Sequence, residues 1–217
     1  MSWDVVLFDL DGTLTDSGLG VANGVRFALK ELGFPVPDAA DLQKYLGPPL
    51  WTSFVDFAGM TQEETVEAVK AYRRYYNETG AFENSVYDGV PEMLSALNKA
   101  GKRLAVATSK VDYSALAILR HFNLDHHFEV IAGSDEHGEL RGTKSLVIEH
   151  AVNELNLGDA ASIVMIGDRE HDIHGATNHN LPAIGVTWGY AADGELQAAG
   201  ASYIVDSVAD LETLLLS

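Results

Sequence analysis

The sequence predicts an α/β protein: a parallel, Rossmann-like sheet core that carries an inserted, small α-helical domain. Three observations support this prediction. Short apolar segments rich in β-branched residues alternate with segments of helical periodicity from about residue 87 onward. A further apolar segment stands alone near the N-terminus, and the stretch after it shows helical patterns only. Because strands that alternate with helices form parallel sheets with right-handed crossovers, we interpret the helical stretch as an insertion after the first strand.

The N-terminal strand is predicted over residues 3–9, the sequence WDVVLFD, which is short, apolar and β-branched. A helix is predicted over residues 15–33, because apolar side chains recur at helical spacing from Val21 to Leu32. Gly33 stands where such a helix would stop.

The rest of the insert is also predicted to be helical. Its elements are a proline-rich turn, two short helices broken at the sequence GPP, and a long helix, at residues 34–40, 41–59 and 61–80. Thr61 and Glu64 form a capping-box signature at the start of the long helix. The insert is therefore assigned to residues 17–84 and the core domain to residues 1–16 and 85–217. The interior of the insert is expected to hold Phe27, Phe54, Phe57 and Trp51.

The second part of the chain alternates strands with helices. A helix over residues 91–101 opens at Pro91 and closes at Gly101. Strands are predicted over residues 103–109, 128–134, 162–168, 182–189 and 202–207. Further helices are predicted over residues 112–124 and 144–158 and directly after residue 168.

Composition limits the expected partners. Lys and Arg number 14 against 32 Asp and Glu, which gives a net charge of −18. Such a surface repels phosphate backbones and anionic lipids, so neither a nucleic-acid polymer nor a membrane is an expected partner. The chain has no cysteine, which excludes disulfides, zinc–thiolate sites and thiol catalysis. With no signal-peptide pattern and no apolar run near the ~20 residues of a membrane span, a cytoplasmic location is expected.

The candidate chemistry lies where three predicted strands end. Asp9 ends the first strand, Thr108 and Ser109 end the strand over residues 103–109, and Asp168 ends the strand over residues 162–168. Strands often end in such turn-forming residues, so any one of them alone carries little weight. In open parallel sheets, however, ligands bind beyond the carboxyl ends of the strands, and the three strand ends together favour a common site.

Asp9 and Asp11 form a close pair of acids. If the chain curls just after Asp9, that carboxylate can face a substrate as the nucleophile that attacks phosphorus. Asp11 can then protonate the leaving oxygen and later take a proton from water. Gly12 lets the backbone turn without a Cβ, so that amides of the turn can contact phosphoryl oxygens. Two acids this close push their protonation states apart, which suits one nucleophile and one acid.

Asp168 and Asp172 lie four residues apart in GDREHD, on a turn that enters a helix. Carboxylate oxygens suit Mg²⁺, and an anionic substrate needs a divalent cation beside such acids. Asp168 is therefore predicted to be a metal ligand. Asp172 is left open between a direct ligand and a residue that supports the ligands, because acids at a helix start also favour the macrodipole.

Thr108 and Lys144 are the candidates for holding a phosphoryl group. Thr108 offers a hydroxyl group, with Ser109 next to it, and Lys144 offers a compact cation at the start of a helix. Taken alone, Lys144 would be better explained as an exposed lysine at a helix start. Lys110 is a further candidate to face the same pocket.

The sequences DLDGT, ATSK and GDREHD, together with Lys144, resemble the four motifs of the haloacid-dehalogenase (HAD) superfamily of phosphohydrolases. They occur in the family's order, and the resemblance covers the whole chain. The pairing of DxDGT with a downstream GDxxxD is highly specific, whereas the threonine and lysine motifs are weak in isolation. The resemblance implies a HAD-like fold, hydrolysis of phosphate monoesters, Asp9 as nucleophile and Asp11 as acid and base.

The resemblance also implies a Mg²⁺ cofactor held by the Asp9 side chain, the Asp11 main-chain carbonyl and Asp168. Thr108 and Lys144 would bind the phosphate. The helical insert resembles the family's small cap, which closes over the site, excludes water and chooses the substrate. Within the superfamily, DLDGTLTDSG, LGPPL and VYDGVPEMLSAL are similar to the phosphoglycolate-phosphatase branch and to 5′-nucleotidase-like members.

The presence of Asp11 distinguishes between the activities known on this fold. A dehalogenase uses one aspartate and no metal, and a transport ATPase has threonine in place of the second acid and a far longer chain. A β-phosphoglucomutase-type phosphotransferase keeps both acids and stays open as an alternative. So does a non-catalytic binding module on the same fold, although loss of an essential acid would mark such a module and none is lost.

The expected substrate is a small-molecule phosphate ester. Phosphoglycolate, nucleoside monophosphates, sugar phosphates and phosphotyrosine all stay open, as does the oligomeric state. Because a cap that faces an anion must lend positive charge, the candidates for substrate choice are Arg26, Lys44 and Arg73.

Overall fold

Eight short strands form two sheets among the residues that the structure describes. In chain order they are β1 (Val5–Phe8), β2 (Thr15–Asp16), β3 (Ser85–Val86), β4 (Arg103–Val111), β5 (Val130–Ser134), β6 (Ile163–Gly167), β7 (Ala183–Val186) and β8 (Tyr203–Val205). The large sheet has the order β5-β4-β1-β6-β7-β8, and every pairing in it is parallel. β2 and β3 form the second, two-stranded sheet. The predicted α/β fold with a parallel sheet is therefore confirmed.

The computed structural model describes residues 3–48, 50–135, 140–158 and 161–217. The chain divides into two units by its internal contacts: unit 1 comprises residues 1–15 and 86–217, and unit 2 comprises residues 16–85. Every helix among the described residues is too short or too polar to cross a lipid bilayer.

Ten α-helices accompany the strands in the described part of the chain. They are α1 (Gly18–Glu31), α2 (Ala39–Leu42), α3 (Leu50–Ala58), α4 (Gln62–Glu78), α5 (Val90–Lys99), α6 (Asp112–His121), α7 (Lys144–Glu154), α8 (Glu170–Thr177), α9 (Glu195–Ala198) and α10 (Val208–Leu216). Short 3₁₀ turns lie at Gln43–Tyr45, Gly80–Phe82 and Asp125–His127. The first four helices belong to unit 2 and the rest to unit 1.

The core of unit 1 lies on both faces of the large sheet. Val5 and Leu7 of β1 belong to one apolar cluster, which includes residues of α7 and α8. The alternate residues Val6 and Phe8 are equally buried and point to the opposite face, because successive side chains of a strand alternate. β1 is therefore apolar throughout, as is typical of a central parallel strand covered by helices on both sides.

Unit 2 is built around the contact of α1 with α4. Gly24 of α1 makes a close approach possible, since a Cβ there would lie 2.7 Å from the Tyr72 ring. Tyr72 and Tyr76 stack on each other, and Phe27 stacks on Tyr75. Thr61 and Glu64 form the predicted capping box at the start of α4. Gly33 has a φ of +77°, which fits the predicted stop of the first helix.

The expected aromatic interior of unit 2 is partly wrong. Phe54 is fully buried, but Trp51 and Phe57 are 44% and 46% exposed. All three lie on α3, whose apolar residues surround most of the helix. Because a helix on a small domain buries one stripe, the residues on the other side remain at the surface.

Several boundaries also differ from the prediction. The first helix starts at Gly18 rather than at residue 15, since Thr15 and Asp16 form β2. β4 continues two residues past the predicted end at residue 109. The helices predicted over residues 112–124 and 144–158 end at His121 and Glu154. α9 was not predicted, because four residues are too few to show a helical period.

Candidate active site

The chain turns sharply after β1, and the turn places the two acids. The Asp9 amide donates to the Ile166 carbonyl at 2.9 Å, so pairing with β6 continues one residue beyond the strand. The Leu10 carbonyl then accepts from the amides of Leu14 and Thr15, at 2.9 and 3.0 Å. Gly12 has a φ of +80°, a backbone conformation that other residues adopt only with strain. The turn expected at Gly12 is present.

Asp168 follows β6 and is fully buried. Its Oδ1 accepts a hydrogen bond from the Thr13 hydroxyl at 3.2 Å, and its Oδ2 accepts one from the Tyr190 amide at 2.8 Å. Gly12 and Gly189 pack against it so closely that a Cβ on either would lie 2.2 or 2.4 Å from the Asp168 side chain. Two glycines therefore make room for this carboxylate.

Lys144 lies at the start of α7 and joins two of the acids. Its Nζ lies 2.9 Å from Asp9 Oδ1 and 2.8 Å from Asp172 Oδ1. It also donates to the Ala107 carbonyl at 3.1 Å. The side chain is 4% exposed, so the ammonium group is a buried cation surrounded by three acceptors. The alternative of an exposed lysine at a helix start is therefore wrong.

Asp172 is held from two sides in the first turn of α8. Its Oδ1 pairs with Lys144, and its Oδ2 accepts from the Arg169 amide at 3.1 Å. Gly167 gives it space, since a Cβ there would lie 2.2 Å from its Cγ. Both oxygens of Asp172 are thus engaged by the protein, an arrangement that suits a residue that orients Lys144.

Three buried carboxylates meet at this point. Asp9, Asp168 and Asp172 each offer one oxygen, and these oxygens all lie within 4.8 Å of one another. Burial, with the charges of Asp172 and Asp9, raises the pKa of Asp168 well above its ordinary value of 3.8. Burial also raises the pKa of Asp172, to about 6, although Lys144 opposes the shift. The site thus holds more negative charge than its one buried lysine balances.

This donor set fits a divalent cation. Buried carboxylate oxygens that repel one another are stabilised by a hard cation, and oxygen ligands are what Mg²⁺ prefers. Asp168 accepts from two neutral donors, the Thr13 hydroxyl and the Tyr190 amide, whereas Asp172 pairs with the cationic Lys144. Asp168 is therefore better placed than Asp172 to bind a cation.

The same charges act on Lys144. Burial alone would lower the pKa of this lysine, but the carboxylates of Asp172 and Asp9 raise it above its ordinary value. The two carboxylates thus favour the charged form of this lysine.

The side chain of Asp11 forms an ion pair with a second lysine. Its Oδ2 lies 2.8 Å from the Nζ of Lys110 on β4, and the two side chains are 27% and 10% exposed. Its Oδ1 is buried and has no hydrogen-bond partner among the described residues. Lys110 therefore does face this site.

The two residues predicted at the end of the second core strand have different environments. Thr108 is buried, and its hydroxyl accepts from the Lys110 amide at 3.3 Å. Ser109 is exposed. Since successive side chains of a strand alternate, only one of the two can point inward.

The predicted specificity residues lie in unit 2. Arg26 of α1 is half-buried and donates to the Asn23 side chain at 2.9 Å. Lys44 is exposed and pairs with Asp41, one turn away. Arg73 of α4 is half-buried. These three cations are thus dispersed over three different segments of the unit.

Backbone groups and glycines of the site were not predicted from the sequence. The Tyr190 amide, the Ala107 carbonyl and the glycines that touch the acids leave no side-chain signature. Gly189 is the last residue of the strand predicted over residues 182–189, and that position was the available signal. Thr13 lies inside the quoted motif DLDGT but was given no role.

Comparison with known proteins places the chain in a family. The family model described as haloacid dehalogenase-like hydrolase matches residues 6–186. The chain belongs to this family. A curated relative from Pseudomonas aeruginosa, named 5′-nucleotidase, is 42% identical over 97% of this chain and 94% of its own length. Three predictions are therefore confirmed: the family, the α/β fold of that family, and phosphatase activity as the type of enzyme.

Two further similarities extend the comparison. The tyrosine-protein kinase PtkA of Mycobacterium tuberculosis is 44% identical over 86% of this chain, which spans 62% of that protein. A crystal structure described as a predicted phosphatase from Clostridium acetobutylicum superposes with a TM-score of 0.92. It is 44% identical, and the match covers 100% of this chain and 99% of that one.

Proposed function

We propose that the protein hydrolyses small-molecule phosphate monoesters through a phosphorylated Asp9, with Mg²⁺ as cofactor. The observation that carries the proposal is the Asp9 side chain. It follows a central strand, its Oδ1 pairs with the buried ammonium of Lys144, and it belongs to the cluster of three buried acids. Such a carboxylate is held in one orientation by a cation, as suits a nucleophile.

In the first step, a carboxylate oxygen of Asp9 forms a bond to phosphorus while the ester P–O bond breaks. Asp11 gives its proton to the leaving oxygen, which departs as an alcohol. In the second step, water gives a proton to Asp11 and its oxygen attacks the same phosphorus. The bond to Asp9 then breaks, and inorganic phosphate leaves. Both acids return to their starting forms.

The residues proposed to hold Mg²⁺ are the Asp9 side chain, the Asp11 main-chain carbonyl and Asp168. When bound, the cation neutralises charge on the phosphoryl group and on the acids. The protein contributes the arrangement of these donors: Thr13 and Tyr190 fix Asp168 through one oxygen each. Asp172 is proposed to act through Lys144 rather than as a ligand.

The phosphoryl group is proposed to be held by amides of the turn at Gly12, by Thr108 and by Lys144. Lys144 already has three acceptors, so it can contact phosphate only by sharing one of its donors. Ser109 is a weaker candidate than Thr108, since its side chain is exposed.

For the substrate, the names of relatives suggest where to begin. A 5′-nucleotidase is among them, and others are named phosphoglycolate phosphatase. We propose a nucleoside monophosphate or phosphoglycolate, and assign substrate choice to unit 2, with Arg26, Lys44 and Arg73 as candidates. A panel of phosphate monoesters, assayed by release of inorganic phosphate, would rank these classes. Transfer to a sugar hydroxyl without release of phosphate would instead indicate the phosphotransferase alternative.

The first prediction tests the nucleophile. Asp9→Asn should lower kcat by roughly 10³-fold or more, because an amide cannot form the acyl phosphate. Acid quenching of wild-type turnover with a labelled ester should leave one phosphoryl group on the peptide that contains Asp9, and none in the variant. Mass spectrometry of the digested protein measures both.

Asp88→Asn is the matched control, because this aspartate is exposed. It should keep full activity. Both variants should unfold cooperatively on heating, which shows that they are folded. Turnover of Asp9→Asn at the wild-type rate, or a phosphoryl group on another residue, would refute the proposal.

A further inference from the structure

We propose that Lys110 is a positioning residue for the general acid. It holds Asp11 Oδ2 and thereby fixes the orientation of the carboxyl group that gives its proton to the leaving oxygen. The inference rests on the proposed function, in which Asp11 is the acid. Asp11 is also the residue whose orientation the rest of the site leaves open, since Asp9, Asp168 and Asp172 each have partners of their own.

A distortion of β4 brings Lys110 to the site. Ala107 of β4 lies opposite Ala132 of β5, and Val111 lies opposite Ser134. Four steps along β4 therefore match two steps along β5, so β4 carries two extra residues between these points. Bulges of this kind re-aim side chains and are frequent beside active sites. Lys110 lies within the bulge.

β5 is adapted to the bulge at Gly133. A Cβ there would lie 2.3 Å from the Lys110 carbonyl and 2.7 Å from the Asp112 amide. Any larger residue would push the bulged backbone away from β5. The close approach of the two strands is thus built into the sequence, and the position of Lys110 follows from it.

The ion pair is well placed to fix a rotamer. Lys110 is 10% exposed, and its Nζ lies 2.8 Å from Asp11 Oδ2. A pair with little access to water is screened weakly and holds its geometry better than a surface pair. The other oxygen, Oδ1, is buried without a partner among the described residues. Lys110 thus fixes the carboxyl group of Asp11 through Oδ2.

Lys144 cannot replace Lys110 in this role. Its ammonium group is surrounded by Asp9, Asp172 and the Ala107 carbonyl, which accounts for its three donors. The two lysines thus divide the two acids between them: Lys144 holds the nucleophile and Lys110 holds the acid.

This assignment predicts a dependence on the leaving group. An alkoxide leaves poorly unless it is protonated, whereas p-nitrophenolate leaves without help. Loss of a well-placed general acid costs about 10²–10⁴-fold when the leaving group needs the proton. Loss of a residue that only orients this acid should cost part of that factor, and only for poor leaving groups.

The experiment compares Lys110→Met with the wild type on an alkyl phosphate monoester and on p-nitrophenyl phosphate. We expect kcat/KM for the alkyl ester to fall by roughly 10-fold or more, and kcat/KM for the aryl ester by less than about 3-fold. Lys110→Arg, which keeps the charge, should recover part of the loss. Lys99→Met, at an exposed lysine of α5, is the matched control and should leave both substrates unaffected.

Asp11→Asn separates this inference from the proposed function. Since Asp11 also serves the second step, which both substrates share, kcat/KM is compared, because it reports the step in which the leaving group departs. If Asp11→Asn reduces kcat/KM equally for both substrates, Asp11 is not the acid and the proposed mechanism fails. If Asp11→Asn discriminates between the substrates and Lys110→Met does not, the positioning role fails alone. A rise in KM of equal size for both esters in Lys110→Met would also overturn it, in favour of phosphate binding. Should Lys110→Met not fold, Lys110→Gln has similar length and carries the same expectation.

Discussion

Asp168 shows how a single residue can be well satisfied by hydrogen bonds and still be costly to ionise. Its two oxygens accept from Thr13 and from the Tyr190 amide. Its pKa is nevertheless raised, because it is fully buried beside Asp172 and Asp9. An acid whose pKa is raised on folding lowers the free energy of unfolding as the pH rises above the pKa that the acid has in the unfolded chain.

We therefore predict that Asp168→Asn stabilises the metal-free protein. An asparagine can accept from the Tyr190 amide and donate to the Thr13 hydroxyl, so both contacts can persist without the charge. The sign follows from the raised pKa: the advantage of the variant should be small near pH 4 and grow towards pH 7.5. Denaturant unfolding in chelator at several pH values measures it, and phosphatase activity should be lost. A variant less stable than wild type at pH 7.5 would contradict the prediction.

For single residues, the charged side chains of the site were predicted from the sequence, but the backbone groups and glycines that contact them were not. Asp9 and Asp168 were predicted because they are acids at the ends of strands, and Lys144 because it is a cation at the start of a helix. Gly189 and the Tyr190 amide could not be predicted, because the loop after β7 acts through its backbone and through the absence of a Cβ. Any residue has an amide, so a contact of this kind leaves no trace in residue type.

Among the elements, the loop between β7 and α9 deserves a test because it supplies that amide. Glu195, the first residue of α9, fastens it to the start of α8. Its Oε1 accepts from the Arg169 guanidinium at 2.7 Å and from the Glu170 amide at 2.9 Å. Its Oε2 accepts from the Ala192 amide at 3.0 Å. One carboxylate thus ties the two segments that follow β6 and β7.

Burial alone would raise the pKa of Glu195, but Arg169 and the amides of Glu170 and Ala192 lower it below its ordinary value of 4.5. Glu195→Gln should therefore lower the free energy of unfolding at pH 7 by about 1–3 kcal/mol. Because the pKa is lowered on folding, this stabilisation is present above pH 4.5 and is lost as pH falls through the folded value. The difference from wild type should shrink over that range.

Chemical denaturation at pH 7 and near pH 4 measures this effect. Glu154→Gln, at an exposed glutamate near the end of α7, is the control and should change little at either pH. If the loss in free energy of unfolding caused by Glu195→Gln stayed constant down to pH 4, the charge of Glu195 would contribute nothing to stability.

For the elements, periodicity predicted the sheet and most helices, while short elements and irregularities escaped it. α9 has four residues and β2 has two, so neither displays a period. The bulge in β4 escaped for another reason. A strand with two extra residues has the same apolar run as a regular one, and only its pairing with β5 reveals the shift.

The whole molecule carries a net charge of −18, and unit 1 gathers three buried acids around one buried lysine. A divalent cation should therefore both activate and stabilise it. We expect chelator to abolish phosphatase activity and Mg²⁺ to restore it. At about 100 times its dissociation constant, Mg²⁺ should raise the unfolding midpoint by roughly 5–10 °C. Differential scanning calorimetry, with and without Mg²⁺, measures the shift.

Asp168→Asn should show neither the restored activity nor the full shift in midpoint, because it removes one of the proposed ligands. Potassium chloride at matched ionic strength controls for simple screening of the acidic surface. Full turnover in the metal-free enzyme would exclude the proposed cofactor.

The glycines beside the acids bear on how distant homologues should be classified. A chain could retain all four aspartates and the lysine and still carry alanine at the position of Gly12 or Gly189. One methyl group would then occupy the volume that the Asp168 side chain fills in this structure. Such a chain would pass an inventory of acidic motifs and yet be a pseudoenzyme, so genome surveys should score these small positions together with the charged ones.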